Sequence, residues 1–256
     1  MIVFLKAIAY LFIFVVGTCI GSFLNVLAYR IPKKIDFVRG RSFCPTCKHT
    51  LLAGDLVPLF SWMFLRGRCR YCGAGISPRY PLVECAAGLL AVGAVAWFGM
   101  TAQAVLAVAV GCVLVTVALI DADTQEIPDG LILALVVLAV IDYCITPELG
   151  LLARLIGLTC VSVPMGLINC VIPTSFGGGD LKLMAAMGLL LGWKMTLVGM
   201  FFALLLGGGY GVFLLACRRM GRKDHFAFGP FLAVGCMCAL FFGHELLLRY
   251  LMIFTG

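Results

Sequence analysis

Two acidic strings stand at the ends of very apolar segments: Ile120-Asp121-Ala122-Asp123 with Pro128-Asp129 behind it, and Gly177-Gly178-Gly179-Asp180-Leu181-Lys182. Carboxylates are costly near a bilayer, so acids at a membrane edge are functional candidates. Two carboxylates brought together cannot both ionise cheaply; they share a proton and titrate as a unit. The ionised member can act as base on a water while the protonated one polarises a carbonyl, which is peptide hydrolysis without a Ser or Cys nucleophile. Asp180 also fits a simple N-cap of a helix over 181–191. The three glycines before it permit close backbone approach and unusual dihedrals beside the carboxylate. Asp121 has Asp123, Glu126 and Asp129 for company, and spacing alone does not choose between Asp121 and Asp123. Asp129 after Pro128 is also an ordinary helix-start signal.

Thirteen cysteines fall into two groups. Nine are scattered through or beside apolar segments and read as small buried hydrophobes. The other four form Cys44-Pro45-Thr46-Cys47, 21 intervening residues, then Cys69-Arg70-Tyr71-Cys72. Paired CxxC knuckles at this spacing indicate a closed tetrahedral four-thiolate zinc site, structural because no coordination position stays open. Two disulfides are the rival reading, and a reducing cytoplasmic loop argues against them. The ion would fold a loop whose apolar residues are too few for a core of their own.

The elements that must position these groups are apolar helices. The chain has 256 residues, 63% hydrophobic and 12% charged, with mean hydropathy +1.12, so most of it belongs in lipid. Spanning the hydrocarbon as helix takes about 20 apolar residues. Candidate spans are 2–29, 82–100, 102–120, 131–145, 151–172, 195–217 and 226–254, and a short piece over 181–192 makes eight. The first reads as a retained helix rather than a cleavable signal. Of 19 Lys and Arg, ten lie between Arg30 and Arg79, and four more are Arg218, Arg219, Arg222 and Lys223. The positive-inside rule puts both groups in the cytoplasm, which favours eight spans and places both acidic strings on the cytoplasmic side. Topology accounts for the basic loop, so nucleic-acid binding is not expected. The fold class is therefore an all-α polytopic membrane protein of about eight transmembrane helices, with a zinc-binding cytoplasmic loop between the first and second. A proton-coupled transporter with the aspartates as relay is the rival class.

Taken together the residues resemble the bacterial type IV prepilin peptidase family of GxGD membrane aspartic proteases. The likeness runs through Gly21-Ser22-Phe23-Leu24-Asn25-Val26 with Arg30 and Pro32, the two CxxC pairs, and Ile76-Ser77-x-Arg79-Tyr80-Pro81-Leu82-Val83-Glu84. It continues through Asp121 with Pro128-Asp129, Gly177-x-Gly179-Asp180-x-Lys182, and Phe228-Gly229-Pro230-Phe231. The resemblance implies catalytic roles for Asp121, rather than Asp123, and Asp180, supported by Gly177, Gly179, Lys182, Pro128 and Asp129. It implies cleavage of type IV prepilins or pseudopilins at the cytoplasmic face of the bacterial inner membrane. It also implies N-methylation of the new terminus with S-adenosylmethionine. The organisation it implies is a first helix over 1–29, a zinc loop associated with methylation over 30–81, and a peptidase domain over 82–256. Asn25, Arg30, Arg79 and Glu84 are the candidates for the cofactor site. Two positions depart from the family pattern: Leu56 stands where an Asn is common, in the loop tied to methylation, and Ala227 where a Pro is common. No Gly-rich fingerprint points to a Rossmann cofactor site, and Gly207-Gly208-Gly209-Tyr210-Gly211 reads as helix packing.

Overall fold

A computed structural model describes residues 1–173, 175–217 and 226–255. The basic cluster Arg218, Arg219, Arg222 and Lys223 lies outside the described residues. The regular structure is helical: α1 (Ile2–Arg30), α2 (Phe60–Phe64), α3 (Arg79–Phe98), α4 (Ala102–Thr124), α5 (Asp129–Ile145), α6 (Leu151–Cys160), α7 (Ser162–Val171), α8 (Gly178–Ala216) and α9 (Gly229–Thr255). Among the described residues the β features are two isolated bridges, Phe43 with Thr50 and Arg68 with Gly75. The all-helical membrane fold expected from the apolar runs is what the chain adopts. The chain divides into two compact units, Met1–Val108 and Ala109–Gly256.

In the first unit α1 packs on α3 through small residues. A Cβ added at Gly21 would come within 2.7 Å of the Glu84 Cα, and one at Gly17 within 2.8 Å of the Ala87 carbonyl oxygen. Apolar burial drives little between helices in lipid, so close backbone contact and interhelical hydrogen bonds carry the association. Asn25 supplies one such bond, donating from Nδ2 to the Tyr80 carbonyl at 3.2 Å. Between these helices runs the cysteine loop.

In the second unit α8 is the central element, packed by α5, α6 and α9. It runs 39 residues but is broken at Gly192, where φ is 70° and ψ 166°. Glycine adopts this left-handed backbone without the Cβ penalty. Gly188 of α8 meets Gly157 of α6 backbone to backbone, and Gly199 meets Gly235 of α9 in the same way. In the glycine run further along α8, Gly207 packs on the Phe228 ring, whereas a Cβ at Gly208 or Gly209 would meet nothing.

Among the described residues six helical stretches are long and apolar enough to cross a membrane: Val3–Arg30, Arg79–Phe98, Ala102–Thr124, Leu151–Val171, Gly178–Ala216 and Gly229–Ile253. The count of eight is not confirmed. The pieces expected at 181–192 and 195–217 fall within the single broken α8. Helix α5 has 17 residues, about 25 Å at 1.5 Å per residue, against about 30 Å of hydrocarbon.

Candidate active site and metal centre

Asp121 lies in the last turn of α4, 5% exposed. The next connection turns sharply: Gln125, at φ 55°, donates its N–H to the Asp121 carbonyl, closing the helix with a left-handed residue. The Asp121 carboxylate accepts the backbone N–H of Gly229, the first residue of α9, at Oδ2 and 2.8 Å. A Cβ at Gly229 would come within 2.6 Å of that oxygen, so the approach requires glycine.

Asp180 is 8% exposed and sits at the third position of α8, whose N-cap is Gly177. It is thus not the N-cap itself, as its place before an apolar run suggested. Its Oδ2 instead reaches back to accept the Gly177 N–H at 3.1 Å. Unusual dihedrals are not needed here. Gly177 is extended at φ −64°, and what the run provides is space. A Cβ at Gly179 would strike Ile127 at 2.8 Å and one at Gly177 would lie 3.1 Å from the Asp180 carboxylate, while one at Gly178 would meet nothing. The turn ahead of Gly177 is braced by Asn169, whose amide accepts the Phe176 N–H and donates to the Phe176 carbonyl, both at 2.9 Å.

Both aspartates line one cleft of about 330 Å³, together with Glu126, Asp129, Gly179 and Lys182. Lys182 Nζ bonds Asp129 Oδ1 at 2.7 Å, an exposed ion pair joining the first turns of α8 and α5. Pro128 is the N-cap that starts α5 at Asp129. Asp123 is exposed and does not line the cleft. A carboxylate pair meeting in such a cleft can hold one proton between its members and orient a water against a carbonyl. Sequence reasoning gave no role to Gly229, Asn169 or the lining residue Gln125. The Phe-Gly-Pro string marked the first, but an amide aimed at a residue 108 positions away leaves no local trace.

The four paired cysteines converge, with all four Sγ atoms within 4.8 Å of one another. The two knuckles repeat one local fold. Cys44 N–H donates to His49 O and Cys44 O accepts from Lys48; Cys69 N–H donates to Ala74 O and Cys69 O accepts from Gly73. The fifth residue of each carries positive φ, 60° at Lys48 and 72° at Gly73. Backbone N–H groups of Cys47 and Thr46 pull the Cys44 thiol from 9.0 to about 6. At Cys72 the Ala74 N–H is outweighed by burial and the neighbouring sulfurs, which push that thiol up to about 11, so of the two Cys44 is the more disposed to the thiolate that a metal needs. A compact four-sulfur set of this kind could hold one tetrahedral ion.

A second cavity, about 400 Å³, lies wholly within the first unit against Cys44 and Cys69, and Asn25, Arg30 and Glu84 line it. Arg79 does not, although it starts α3 nearby. Arg30 is buried and donates to the Asp36 carbonyl at 2.8 Å and the Arg41 carbonyl at 3.0 Å, while Glu84 accepts the Leu59 N–H at 2.8 Å. Asp55 from the same wall pairs with Arg70 at 2.8 Å.

These features define a polytopic helical membrane protein with a carboxylate cleft in one unit and a four-cysteine loop in the other. The family model described as the bacterial peptidase A24 N-terminal domain matches residues 15–98, and that of the type IV leader peptidase family matches residues 108–212. The chain belongs to the type IV leader peptidase family. It is 30% identical over 244 residues to a prepilin leader peptidase/N-methyltransferase of Bacillus subtilis, covering 95% of this chain and 98% of that protein. Proteins of the same description from Burkholderia pseudomallei and Stutzerimonas stutzeri are each 33% identical. They cover 91% and 93% of this chain and 85% and 92% of their own lengths, respectively. No solved structure matches the chain.

Proposed function

We infer that this chain is a membrane aspartic endopeptidase and N-methyltransferase acting on type IV prepilins or pseudopilins, with Asp121 and Asp180 as its acid–base pair. The observation that carries the peptidase reading is the cleft that both carboxylates line. One aspartate takes a proton from water as that water adds to the scissile carbonyl carbon; the other donates a hydrogen bond to the carbonyl oxygen. Collapse of the tetrahedral species breaks the C–N bond, and the shared proton passes to the leaving amine. Gly177 and Gly229 hold the two carboxylates through their amides. Gly179 lets α8 approach Ile127, and Pro128 starts the helix whose Asp129 meets Lys182.

The four cysteines are assigned a structural zinc ion. Their compact sulfur set fits Zn²⁺, which needs four thiolates at about 2.3 Å. Loop 30–81 is assigned to methyl transfer, and 82–256 to proteolysis. S-adenosylmethionine would supply an electrophilic methyl group for the new N-terminal amine. Asn25, Arg30 and Glu84 would orient it from the cavity they line, with Arg79 at its approach. The ten basic residues from Arg30 to Arg79 support a cytoplasmic loop at the inner membrane.

The test is cleavage and methylation by purified protein. Asp121→Asn and Asp180→Asn each abolish leader removal from a prepilin while still methylating a pre-cleaved pilin. Normal cleavage by either variant removes the assignment. Proton-coupled flux in vesicles without cleavage would favour the transporter reading.

A further inference from the structure

A buried and many-times bonded ionic group of the second unit lies outside the lining of the cleft. Arg154 of α6 is 1% exposed, the largest fully buried side chain among the described residues. Its Nη2 bonds Asp142 Oδ2 of α5 at 2.6 Å and Thr146 Oγ1 at 3.2 Å, and its Nε donates to the Leu149 carbonyl at 3.2 Å. Its Nη1 donates to the carbonyls of Leu189 and Leu190, both at 3.2 Å. A buried arginine inside an apolar helix is costly, and this one ties the end of α5 and the turn after it, through Nη2 and Nε, to α8 through Nη1.

The α8 carbonyls that Nη1 meets lie at the break in that helix. A helix that ends leaves its last carbonyls without regular donors, and Gly192 ends the first segment of α8. Leu189 and Leu190 belong to the last turn before it, where a cation also meets the negative end of the helix dipole. The other end of this short segment carries Asp180, about 15 Å away at 1.5 Å per residue. The segment is pinned again where Gly188 meets Gly157, three residues beyond Arg154 in α6, and where Leu149 covers Gly192.

We propose that Arg154 is a positioning residue for proteolysis: by capping Leu189 and Leu190 it fixes the segment 178–191 as a separate rod and so sets where Asp180 meets Asp121. Asp142 and Thr146 hold the guanidinium in place for that task. The proposal rests on Asp180 being one of the catalytic pair, and it makes the helix break a working part of the site.

The experiment uses purified full-length Arg154→Met, Arg154→Lys and Asp142→Asn, with Asp180→Asn as reference. For each, kcat and KM for prepilin cleavage, the pH profile of kcat, and methylation of a pre-cleaved pilin are measured. Arg154→Met is expected to lower kcat at least about 30-fold with KM changed less than about 3-fold, within what a 1 Å misplacement can cost. Its pH profile shifts because the spacing of the carboxylate pair has changed, and its methylation stays at the wild-type rate. Arg154→Lys falls between, and Asp142→Asn, which keeps an acceptor, loses less than Arg154→Met. A wild-type kcat and pH profile in Arg154→Met overturns the proposal while Asp180→Asn stays dead and the peptidase reading stands. An active Asp180→Asn overturns both. Parallel loss of kcat, KM and methylation also overturns it, because that is general damage. If Arg154→Met does not survive purification, Arg154→Lys decides on the same readouts: reduced kcat with intact KM supports positioning, and unchanged kcat ends it.

Discussion

A single backbone hydrogen carries much of the candidate site. Gly229 donates its N–H to Asp121, and a Cβ there would lie 2.6 Å from the accepting oxygen. Gly229→Ala should therefore push the carboxylate off its position and lower kcat for cleavage by about 10²-fold, with methylation of pre-cleaved pilin unchanged. Wild-type cleavage by this variant would mean that Asp121 tolerates displacement. Residue types were readable at this scale, but their partners less so. The convergence of Cys44, Cys47, Cys69 and Cys72 follows from paired local knuckles, each legible in a four-residue string. Arg154 and Asp142 are twelve residues apart on separate helices, and nothing in their spacing announces a buried pair. The cavity of the first unit likewise gathers Asn25, Arg30 and Glu84 but leaves out Arg79, which shares a motif with Glu84.

At the scale of elements, the cysteine loop has its own pH response. The Cys44 thiol is lowered from 9.0 to about 6 in the folded loop, while Cys72 is pushed up to about 11 and so costs stability only above about pH 9. A depressed acid contributes its full stabilisation above the unfolded value and loses it as pH falls through the folded one. Metal-free loop should thus grow more stable from about pH 6 to about pH 9. Hydrogen exchange at the knuckle amides, corrected for intrinsic rates, measures this. Protection that falls over the same range would contradict it. The helices were legible as apolar runs, although the run expected at 151–172 is two helices, α6 and α7, that part at Val161. Their division was not. The expected pieces 181–192 and 195–217 meet at a left-handed glycine, Gly192, where α8 changes direction without ending. Hydropathy reports what a segment dissolves in, and backbone direction is decided by packing such as Leu149 on Gly192.

At the scale of the molecule, six stretches among the described residues qualify as membrane-crossing by length and composition, and α5 falls just short. The proposed arrangement puts the cysteine loop and the acid cleft on the cytoplasmic side. A cysteine-light protein carrying either native Cys47 or Glu126→Cys should then react with an impermeant maleimide only in inverted vesicles. Labelling of Cys47 and Glu126→Cys from opposite sides would separate the two units topologically and end that arrangement. Charge bias is the argument for the loop's cytoplasmic side, since ten cations fall in one stretch. The number of crossings depends on short helices that composition does not resolve.

Both acids of the cleft are gripped by the main chain, Asp121 by Gly229 and Asp180 by Gly177. Side-chain replacement cannot erase an amide hydrogen; among the twenty residues proline alone lacks it. The grip is written in the route of the polypeptide, so neighbouring side chains are open to redesign for new leader sequences as long as that route is kept.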